Sequence, residues 1–439
     1  MNVTAAGSRV DRQLAGARQF LNHLGEILQA ELAVRLWNGE CVPLGPAGTA
    51  APIIAIRTPS AITRLLRRPA LATLIELFAA GDIDFENATL FDIAARRGTM
   101  RTKGLLRRID KRLAIASLWP FVFGRQAETR DHAFEGAVAE RESAGRDNKA
   151  LIQFHYDLSN DFYALFLDPE MQYSCAYYPR WDASLEEAQK AKLDMICRKL
   201  RLQPGERFLD IGCGWGGLVC HAARHYGVKA HGVTLSEAQL AFGRDKIARL
   251  GLGGRVTVEL KDYRELTGTF DKIASIGMFE HVGIANHPAY FAKMNALLRP
   301  QGLLLNHAIA RHAKRDLKRF RRKRPEYAAI TRYIFPGAEL DYIGLSLTHL
   351  ESHGFEVHDV EGWREHYART CRLWCERLEA NRAEAERLVG TAKTRLWLLY
   401  LAGCSLGFER NTLGIFQTLA SKRIRGPSGL PPTRTDLYR

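Results

Sequence analysis

The stretch RFLDIGCGWGG, residues 207–217, decides the fold. Its hydrophobic first half ends in Asp210, and glycines follow at positions 212, 214, 216 and 217. Glycine allows sharp turns and close approach of a ligand to the backbone, and the free amides at a helix N-terminus can bind that ligand. The stretch therefore predicts a strand, a glycine-rich turn and a helix that together hold a nucleoside-type cofactor.

Two cofactor classes fit this turn. The spacing Gly212-x-Gly214-x-x-Gly217 matches the fingerprint of dinucleotide-binding enzymes. Asp210 favours a cofactor with an amino-acid end, because the ammonium group of such a cofactor needs a nearby anion. The next strand ends in TLS (234–236), without the acid that usually holds the ribose of a nicotinamide cofactor. We favour a methyltransferase cofactor here, and the dinucleotide alternative stays open on these residues alone.

Strands and helices alternate on the C-terminal side of the turn. Strand-like segments are VKAHGVTLS (228–236), RVTVELKDY (255–263), FDKIASIGMFEHVG (270–283) and GLLLNHAIA (302–310). Strands separated by helices of 10–20 residues predict a doubly wound, parallel α/β sheet. The segment FEVHDVEGW (355–363) and a long helical run over 364–400 are expected to close the domain.

The chain, at 439 residues, is too long for one typical core and predicts two domains. Residues 1–125 are interpreted as a smaller mixed α+β domain, with strand-like stretches at 32–37 and 53–56 and a helical stretch over 59–80. Residues 126–148 are polar and charged and are predicted to be a linker. Residues 149–439 form the predicted doubly wound domain.

Composition limits the partners and the compartment. The formal charge of +15 predicts attraction to a polyanion, either nucleic acid or an anionic membrane surface. No apolar run reaches the roughly 20 residues needed to cross a bilayer, and the N-terminus lacks a secretory signal. The eight cysteines form no CxxC pair, so we expect free thiols and no metal site. We therefore expect a cytoplasmic protein that meets a membrane only peripherally, at its inner face.

Eight motifs follow the predicted linker in a fixed order. They are FHYDLSNDFYALFLD (154–168), MQYSCAYY (171–178), LDIGCGWGG (209–217), GVTLSEAQ (232–239), GMFEHVG (277–283), NHAI (306–309), RYIFPGAEL (332–340) and HYARTCRLW (366–374). From about residue 150 onward the chain resembles the cyclopropane-fatty-acyl-phospholipid synthase family. The resemblance implies a Rossmann-like class I methyltransferase domain, with S-adenosylmethionine as co-substrate and a homodimer as the assembly.

The family resemblance implies a reaction on lipid. The methyl group of S-adenosylmethionine is transferred to a cis double bond of an unsaturated phospholipid acyl chain, and proton loss then closes a cyclopropane ring. The carbocation intermediate needs a dry pocket, and aromatic faces stabilise a cation. Any single tyrosine in the motifs could equally serve core packing. As a set, the tyrosines of the motifs suit this chemistry: Tyr156, Tyr163, Tyr173, Tyr177, Tyr178 and Tyr367.

The resemblance also implies site residues. A bound bicarbonate ion is expected to act as the base, held by Cys175, Glu280, His307, Ile309 and Tyr367. Cys175 is not expected to be a nucleophile, because the reaction has no acyl-transfer step. The cofactor is expected to contact Tyr173, Ser174, Asp210, Gly212, Gly214, Thr234, Leu235, Gln239, Asp262 and Tyr263.

Two segments are candidates for contact with an anionic membrane. LLRRIDKRLAIASLWPFVFGR (105–125) combines an apolar helical spacing with basic residues and aromatic anchors, although a helix packed on the N-terminal core has the same pattern. RHAKRDLKRFRRKR (311–324) carries nine Lys or Arg in fourteen residues. The family has a shorter and less basic connection at this point.

Other functions fit parts of the pattern. A fatty-acyl C-methyltransferase would form a methyl or methylene branch from the same cation, and amine N-methyltransferases share much of the motif set. The positive charge also permits a nucleic-acid-binding protein. That class is disfavoured, because the sequence has no RRM, KH or helix-turn-helix pattern.

Overall fold

The computed structural model describes residues 8–46, 51–96, 104, 107–123, 158–322, 325–335 and 337–438. The chain forms two compact units. The first contains the described residues before 124, joined by the segments Arg324–Ala329 and Gly390–Ala402, and the second contains the remainder. The domain boundaries at 125 and 149 stay predictions, and the predicted linker lies outside the described residues.

The first unit has a four-stranded mixed sheet in the order β2-β1-β3-β4. Its strands are β1 (Ala33–Arg35), β2 (Cys41–Pro43), β3 (Ile53–Ile56) and β4 (Ile83–Glu86). Its helices are Arg9–Leu28, Pro59–Arg67, Leu71–Ala80, Leu90–Ala95 and Lys111–Val122. The helical stretch expected over 59–80 is two helices, because Pro69 cannot continue the first one. The mixed α+β character is as predicted.

The second unit has a seven-stranded sheet in the order β10-β11-β9-β8-β5-β6-β7. Its strands are β5 (Arg207–Ile211), β6 (Lys229–Thr234), β7 (Val256–Leu260), β8 (Phe270–Ile276), β9 (Leu298–Arg311), β10 (Phe355–Gly362) and β11 (Leu413–Lys422). β5 to β9 run parallel to one another, and β11 is antiparallel to both β9 and β10. Apolar clusters cover both faces of the sheet, which confirms the predicted doubly wound α/β fold.

The helices of the second unit surround this sheet. They are Asn160–Ala164, Leu185–Lys199, Gly217–Tyr226, Glu237–Arg249, His287–Leu297, Leu317–Arg321, Ile343–Ser352, Arg364–Ala380 and Arg382–Val389. Two more, Pro325–Tyr333 and Thr391–Glu409, contribute residues to both units. The single helical run expected over 364–400 is three helices, with breaks at Asn381 and Gly390. β11 was not predicted at all.

The glycine-rich turn has the geometry that its sequence requires. Gly212 and Gly216 have φ angles of 78° and 80°, in the left-handed region that disfavours other residues. A Cβ atom on Gly217 would lie 2.0 Å from Nε2 of Gln172. Glycine is therefore needed here both for the turn and for the close approach of the segment that carries Gln172.

The described part of the chain contains no helix that is both long enough and apolar enough to span a bilayer.

Candidate active site

A cavity lies at the C-terminal edge of the parallel strands β5, β6, β7 and β8, where ligands of open α/β sheets bind. We call it the cofactor cavity. Segments far apart in sequence meet there, because parallel strands all end at the same edge. Its lining includes every residue that was predicted to contact the cofactor: Tyr173, Ser174, Asp210, Gly212, Gly214, Thr234, Leu235, Gln239, Asp262 and Tyr263.

The cofactor cavity contains a deeply buried acid, Asp210, and a fully buried lysine, Lys192. Asp210 is 3% exposed, and its Oδ1 atom has no hydrogen-bond partner among the described residues. Burial raises the pKa of Asp210 to about 7, against the opposing charge of Lys192. Lys192 is fully buried, and burial lowers its pKa to about 8. Lys192 was not predicted, although it lies one helical turn from the buried Ala188 and Ile196, where a charge is unexpected.

Other polar groups of the cavity are held by neighbours. The Thr234 hydroxyl donates to Oε1 of Gln239 at 2.8 Å. The Asp262 carboxylate accepts from Nε and Nη2 of Arg264 at 3.0 and 2.7 Å. Asp262 therefore lines the cavity with its charge already paired to Arg264.

The five predicted catalytic residues lie outside the lining of the cofactor cavity. Three of them meet between β8 and β9. Glu280 follows β8, and its Oε1 atom accepts from the Ile309 amide at 2.6 Å. His307 lies two residues earlier on β9, and its carbonyl accepts from the Gly277 amide at 2.8 Å. His307 and Ile309 share one face of the strand, because side chains alternate along it.

Trp363 joins the other two predicted catalytic residues to this group. The Cys175 Sγ atom lies 3.8 Å from the Trp363 carbonyl oxygen, and the His307 ring meets the Trp363 ring edge-on at 5.2 Å. Tyr367 lies one helical turn further, and its amide donates to the Trp363 carbonyl at 3.0 Å. Trp363 is fully buried and was not predicted. We call Cys175, Glu280, His307, Trp363 and Tyr367 the Glu280–His307 cluster.

Polar atoms of this cluster are left without partners. Nε2 of Gln417 donates to Nδ1 of His307 at 3.2 Å, so the proton of a neutral His307 ring is on Nε2. That Nε2 atom and Oε2 of Glu280 are buried and have no hydrogen-bond partner among the described residues. Such atoms are costly to bury, so the arrangement is suited to a polar ligand.

Protonation in the cluster favours an anion as that ligand. Burial raises the pKa of Glu280 to about 7 and lowers that of His307 well below its usual value. Lys192 and Lys199 add to the lowering of the His307 pKa, although Lys199 is itself paired with Asp359 and Glu361. Burial also raises the pKa of the Cys175 thiol, which is therefore a poor nucleophile. No group of three metal-ligating side chains occurs within the described residues.

Aromatic rings run continuously from the cofactor cavity to Tyr367. The Trp215 ring centroid lies 5.1 Å from that of Tyr163, which lies 5.5 Å from Tyr173. The ring centroids of Tyr173 and Trp374 lie 5.2 Å apart, and those of Trp374 and Tyr367 lie 6.0 Å apart. These rings give the region between the two sites an apolar surface with electron-rich faces.

This chain is similar to known cyclopropane synthases and fatty acid methyltransferases. A family model described as mycolic acid cyclopropane synthetase matches residues 144–418. A probable fatty acid methyltransferase of Pseudomonas putida is 39% identical over 416 residues, which are 94% of this chain and 97% of the relative. The cyclopropane-fatty-acyl-phospholipid synthase of Escherichia coli K12 is 40% identical over 270 residues, which are 62% of this chain and 67% of the relative.

Two solved structures extend the comparison. The structure of the cyclopropane synthase MmaA2 from Mycobacterium tuberculosis matches with a TM-score of 0.60 and 34% identity, and the match covers 64% of this chain and 100% of that one. The mycolic acid cyclopropane synthase CmaA1, complexed with SAH and CTAB, has a TM-score of 0.59 and 35% identity, over 62% of this chain and 98% of its own.

Proposed function

This chain belongs to the mycolic acid cyclopropane synthetase family, and from that premise we propose that it builds cyclopropane rings in unsaturated phospholipid acyl chains. It is an S-adenosylmethionine-dependent methyltransferase of that family. The observation that carries the finer proposal is that two polar atoms, Oε2 of Glu280 and Nε2 of His307, are buried with no hydrogen-bond partner among the described residues, on side chains that β9 brings together. Such a pair suits removal of one proton in dry surroundings.

The cofactor cavity positions the methyl donor. S-adenosylmethionine, when bound, supplies an electrophilic methyl group. Asp210 would hold its ammonium, and the amides of the glycine-rich turn would hold its polar groups. An alkene is a weak nucleophile, so the pocket contributes mainly by alignment and by excluding water. Each of the aromatic faces near the double bond would stabilise the resulting cation by about 0.5–2 kcal/mol.

The Glu280–His307 cluster would handle the proton. Bicarbonate, when bound, would supply the base. Glu280 and His307 would hold that anion by hydrogen bonds, and Tyr367, whose pKa is raised by burial, would keep its hydroxyl proton and donate it. The Ile309 amide is bonded to Glu280, which gives it the role of fixing the carboxyl with Oε2 free.

Product analysis tests the proposed reaction. The protein is incubated with S-adenosylmethionine and vesicles of a monounsaturated phospholipid, and the acyl chains are analysed by proton NMR and mass spectrometry. Cyclopropyl protons with a mass gain of one methylene group are expected. A methyl or methylene branch without a ring would replace this proposal by the fatty-acyl C-methyltransferase alternative, and unaltered chains would contradict a phospholipid substrate.

Bicarbonate dependence is tested separately. The rate is measured in buffer freed of carbon dioxide and again after bicarbonate is added back. A several-fold loss that bicarbonate restores is expected. An unchanged rate would contradict the proposed base while leaving the lipid substrate untouched.

We propose that the basic segment RHAKRDLKRFRRKR (311–324) contacts anionic lipid. All the residues from His312 to Arg319 are exposed, and Leu317 is 55% exposed. Phe320 anchors the segment: its side chain is buried, and its ring centroid lies 4.2 Å from Cζ of Arg311. The segment therefore exposes cations and one apolar side chain from a fixed attachment point. Lys323 and Arg324 of the predicted run lie outside the described residues.

Charge neutralisation tests this contact. Replacing Arg319, Arg321 and Arg322 by Gln is expected to weaken binding to anionic vesicles about tenfold to a hundredfold at low salt, since each charge contributes about 1 kcal/mol. The control replaces three exposed bases elsewhere on the same unit: Lys190, Arg224 and Arg244. Equal co-sedimentation of the two triple variants would contradict the contact, and cofactor binding should be unchanged in both.

Helix Lys111–Val122 offers a second membrane contact. Ile115, Trp119 and Phe123 are 64%, 59% and 69% exposed, whereas Phe121 is buried in the first unit. Of the apolar spacing predicted from Leu105 onward, Leu105 lies outside the described residues, and Ile109 and Leu113 are half-buried. Asp110 caps the helix, which begins at Lys111. Replacing Trp119 by Ser is expected to reduce binding to vesicles at high salt, where electrostatic attraction is screened.

A further inference from the structure

Lys192 is a buried cation that the proposed reaction has not used. It lies in the middle of helix Leu185–Lys199, is fully buried, and lines the cofactor cavity with Ser174 and Asp210. Among the described residues it forms no ion pair within 4 Å. The buried carboxyls of Asp168 and Asp210 act on its charge from more than 4 Å, so Lys192 has no direct carboxylate partner, and its place at a cavity points to a ligand that compensates the charge.

The hydrogen bonds of Lys192 fix its neighbours. An ammonium group only donates, so Oε1 of Gln172 at 2.6 Å and Oγ of Ser174 at 2.9 Å must both accept. The Gln172 amide nitrogen is thereby directed to the Glu170 carbonyl at 3.2 Å. The Ser174 hydroxyl proton is directed away from Lys192, which makes Ser174 a donor in the cavity.

The backbone beneath Ser174 is also fixed. Nε2 of Gln189, one turn before Lys192 on the same helix, donates to the Ser174 carbonyl at 3.0 Å and to the Gln172 carbonyl at 3.3 Å. Helix Leu185–Lys199 therefore sets both the position of Ser174 and the direction of its proton. The other lysine that lines the cavity, Lys261, is bonded to Glu259 at 2.8 Å and is not an equivalent cation.

We propose that Lys192 is a positioning residue that recognises the carboxylate of the methionine end of S-adenosylmethionine, acting through Ser174. The methionine end is a zwitterion, and the cavity offers a matching pair of buried charges, Lys192 for the carboxylate and Asp210 for the ammonium. The inference rests on the assignment of this cavity to the cofactor and is independent of the lipid substrate and of bicarbonate.

Binding measurements without lipid test the inference. Dissociation constants are measured by calorimetry for S-adenosylhomocysteine, which has the carboxylate, and for decarboxylated S-adenosylmethionine, which lacks it. Lys192→Met is expected to weaken binding of the first about 10- to 100-fold, the scale of a hydrogen bond to a charged group, and of the second less than about threefold. The matched control is Lys190→Met, an exposed lysine on the same helix, with no change expected.

A second variant leaves the buried charge in place. Ser174→Ala is expected to show the same ligand selectivity to at least the same extent as Lys192→Met, and the double variant is expected to be no weaker than Ser174→Ala alone, because Lys192 acts through Ser174. Equal loss for both ligands would assign Lys192 a purely structural role and overturn the inference. Unchanged S-adenosylhomocysteine binding in Lys192→Met would also overturn it. Failure of the native protein to bind either ligand would instead contradict the cofactor assignment itself.

Discussion

The cofactor cavity and the Glu280–His307 cluster are neighbouring polar regions with opposite electrostatic designs. The cavity holds a buried acid and a buried base, Asp210 and Lys192, whose charges can face a zwitterionic ligand. Burial raises the pKa of Glu280 in the cluster to about 7 as well, but there the charge of Asp341 adds to the rise, whereas Lys192 opposes it at Asp210. Oε2 of Glu280 and Nε2 of His307 have no hydrogen-bond partner among the described residues. The difference teaches that a buried acid beside a buried cation can face a zwitterionic ligand, whereas a buried acid without such a cation holds its proton and can donate it.

The largest effect should come from the cluster. Glu280→Gln keeps the shape of the side chain but removes the acid, so turnover is expected to fall at least about 100-fold, the scale of a lost acid–base group. The dissociation constant for S-adenosylhomocysteine should change less than about twofold. The measurements are product formation and calorimetry, with the exposed Glu356→Gln as control. A parallel loss of cofactor binding would show that the two regions do not act separately.

The converse effect is expected in the cofactor cavity. Asp210→Asn removes the proposed partner of the cofactor ammonium and should weaken S-adenosylhomocysteine binding about 10- to 100-fold, as expected for a lost charged hydrogen bond. Turnover at saturating cofactor should fall less than about fivefold. Titration calorimetry and saturation kinetics check this, with Asp245→Asn on the surface as control. A large loss of turnover at saturation would contradict a role in binding alone.

Ionisation of the buried Asp210 and Glu280 carboxyls should destabilise the folded protein at alkaline pH. Burial raises the pKa values of Asp210 and Glu280 to about 7, so the folded protein holds protons that the unfolded chain releases near pH 4. Their contribution to the free energy of unfolding is full below about pH 4 and is lost as pH rises through about 7. Asp210→Asn without ligand should therefore be more stable than the native protein at pH 8, by roughly 1–3 kcal/mol, with a smaller gain at pH 5. Urea unfolding at the two pH values measures this, and equal gains would contradict it.

The smallest effect is expected at Cys175. Burial keeps its thiol protonated, and its contacts are weak ones to the carbonyls of Ala176 and Trp363. Cys175→Ala is expected to change turnover less than about threefold, measured by product formation. Loss of activity together with a covalent adduct at Cys175 would contradict this and assign the thiol a nucleophilic role.

The fold could be predicted where a strand contains a run of consecutive buried residues. β5, β6, β8 and β9 each contain at least three consecutive buried residues, as expected for strands covered on both faces. β11 also contains such a run, but it was missed because LGIFQTLASK closely follows a long helix. Gln417 and Thr418 are nevertheless buried, since β11 is enclosed between β9 and β10.

The sequence by itself determined the doubly wound domain and the residues of the cofactor cavity, because parallel strands bring their C-terminal ends to one edge wherever they lie in the chain. Only the tertiary structure decided which of the remaining residues lie at the two sites. From the sequence alone, Lys192 is an ordinary helix residue and Trp363 an ordinary core residue. Their roles depend on burial and on hydrogen-bond partners distant in sequence, such as Ser174 for Lys192 and His307 for Trp363, and no local pattern encodes those distances.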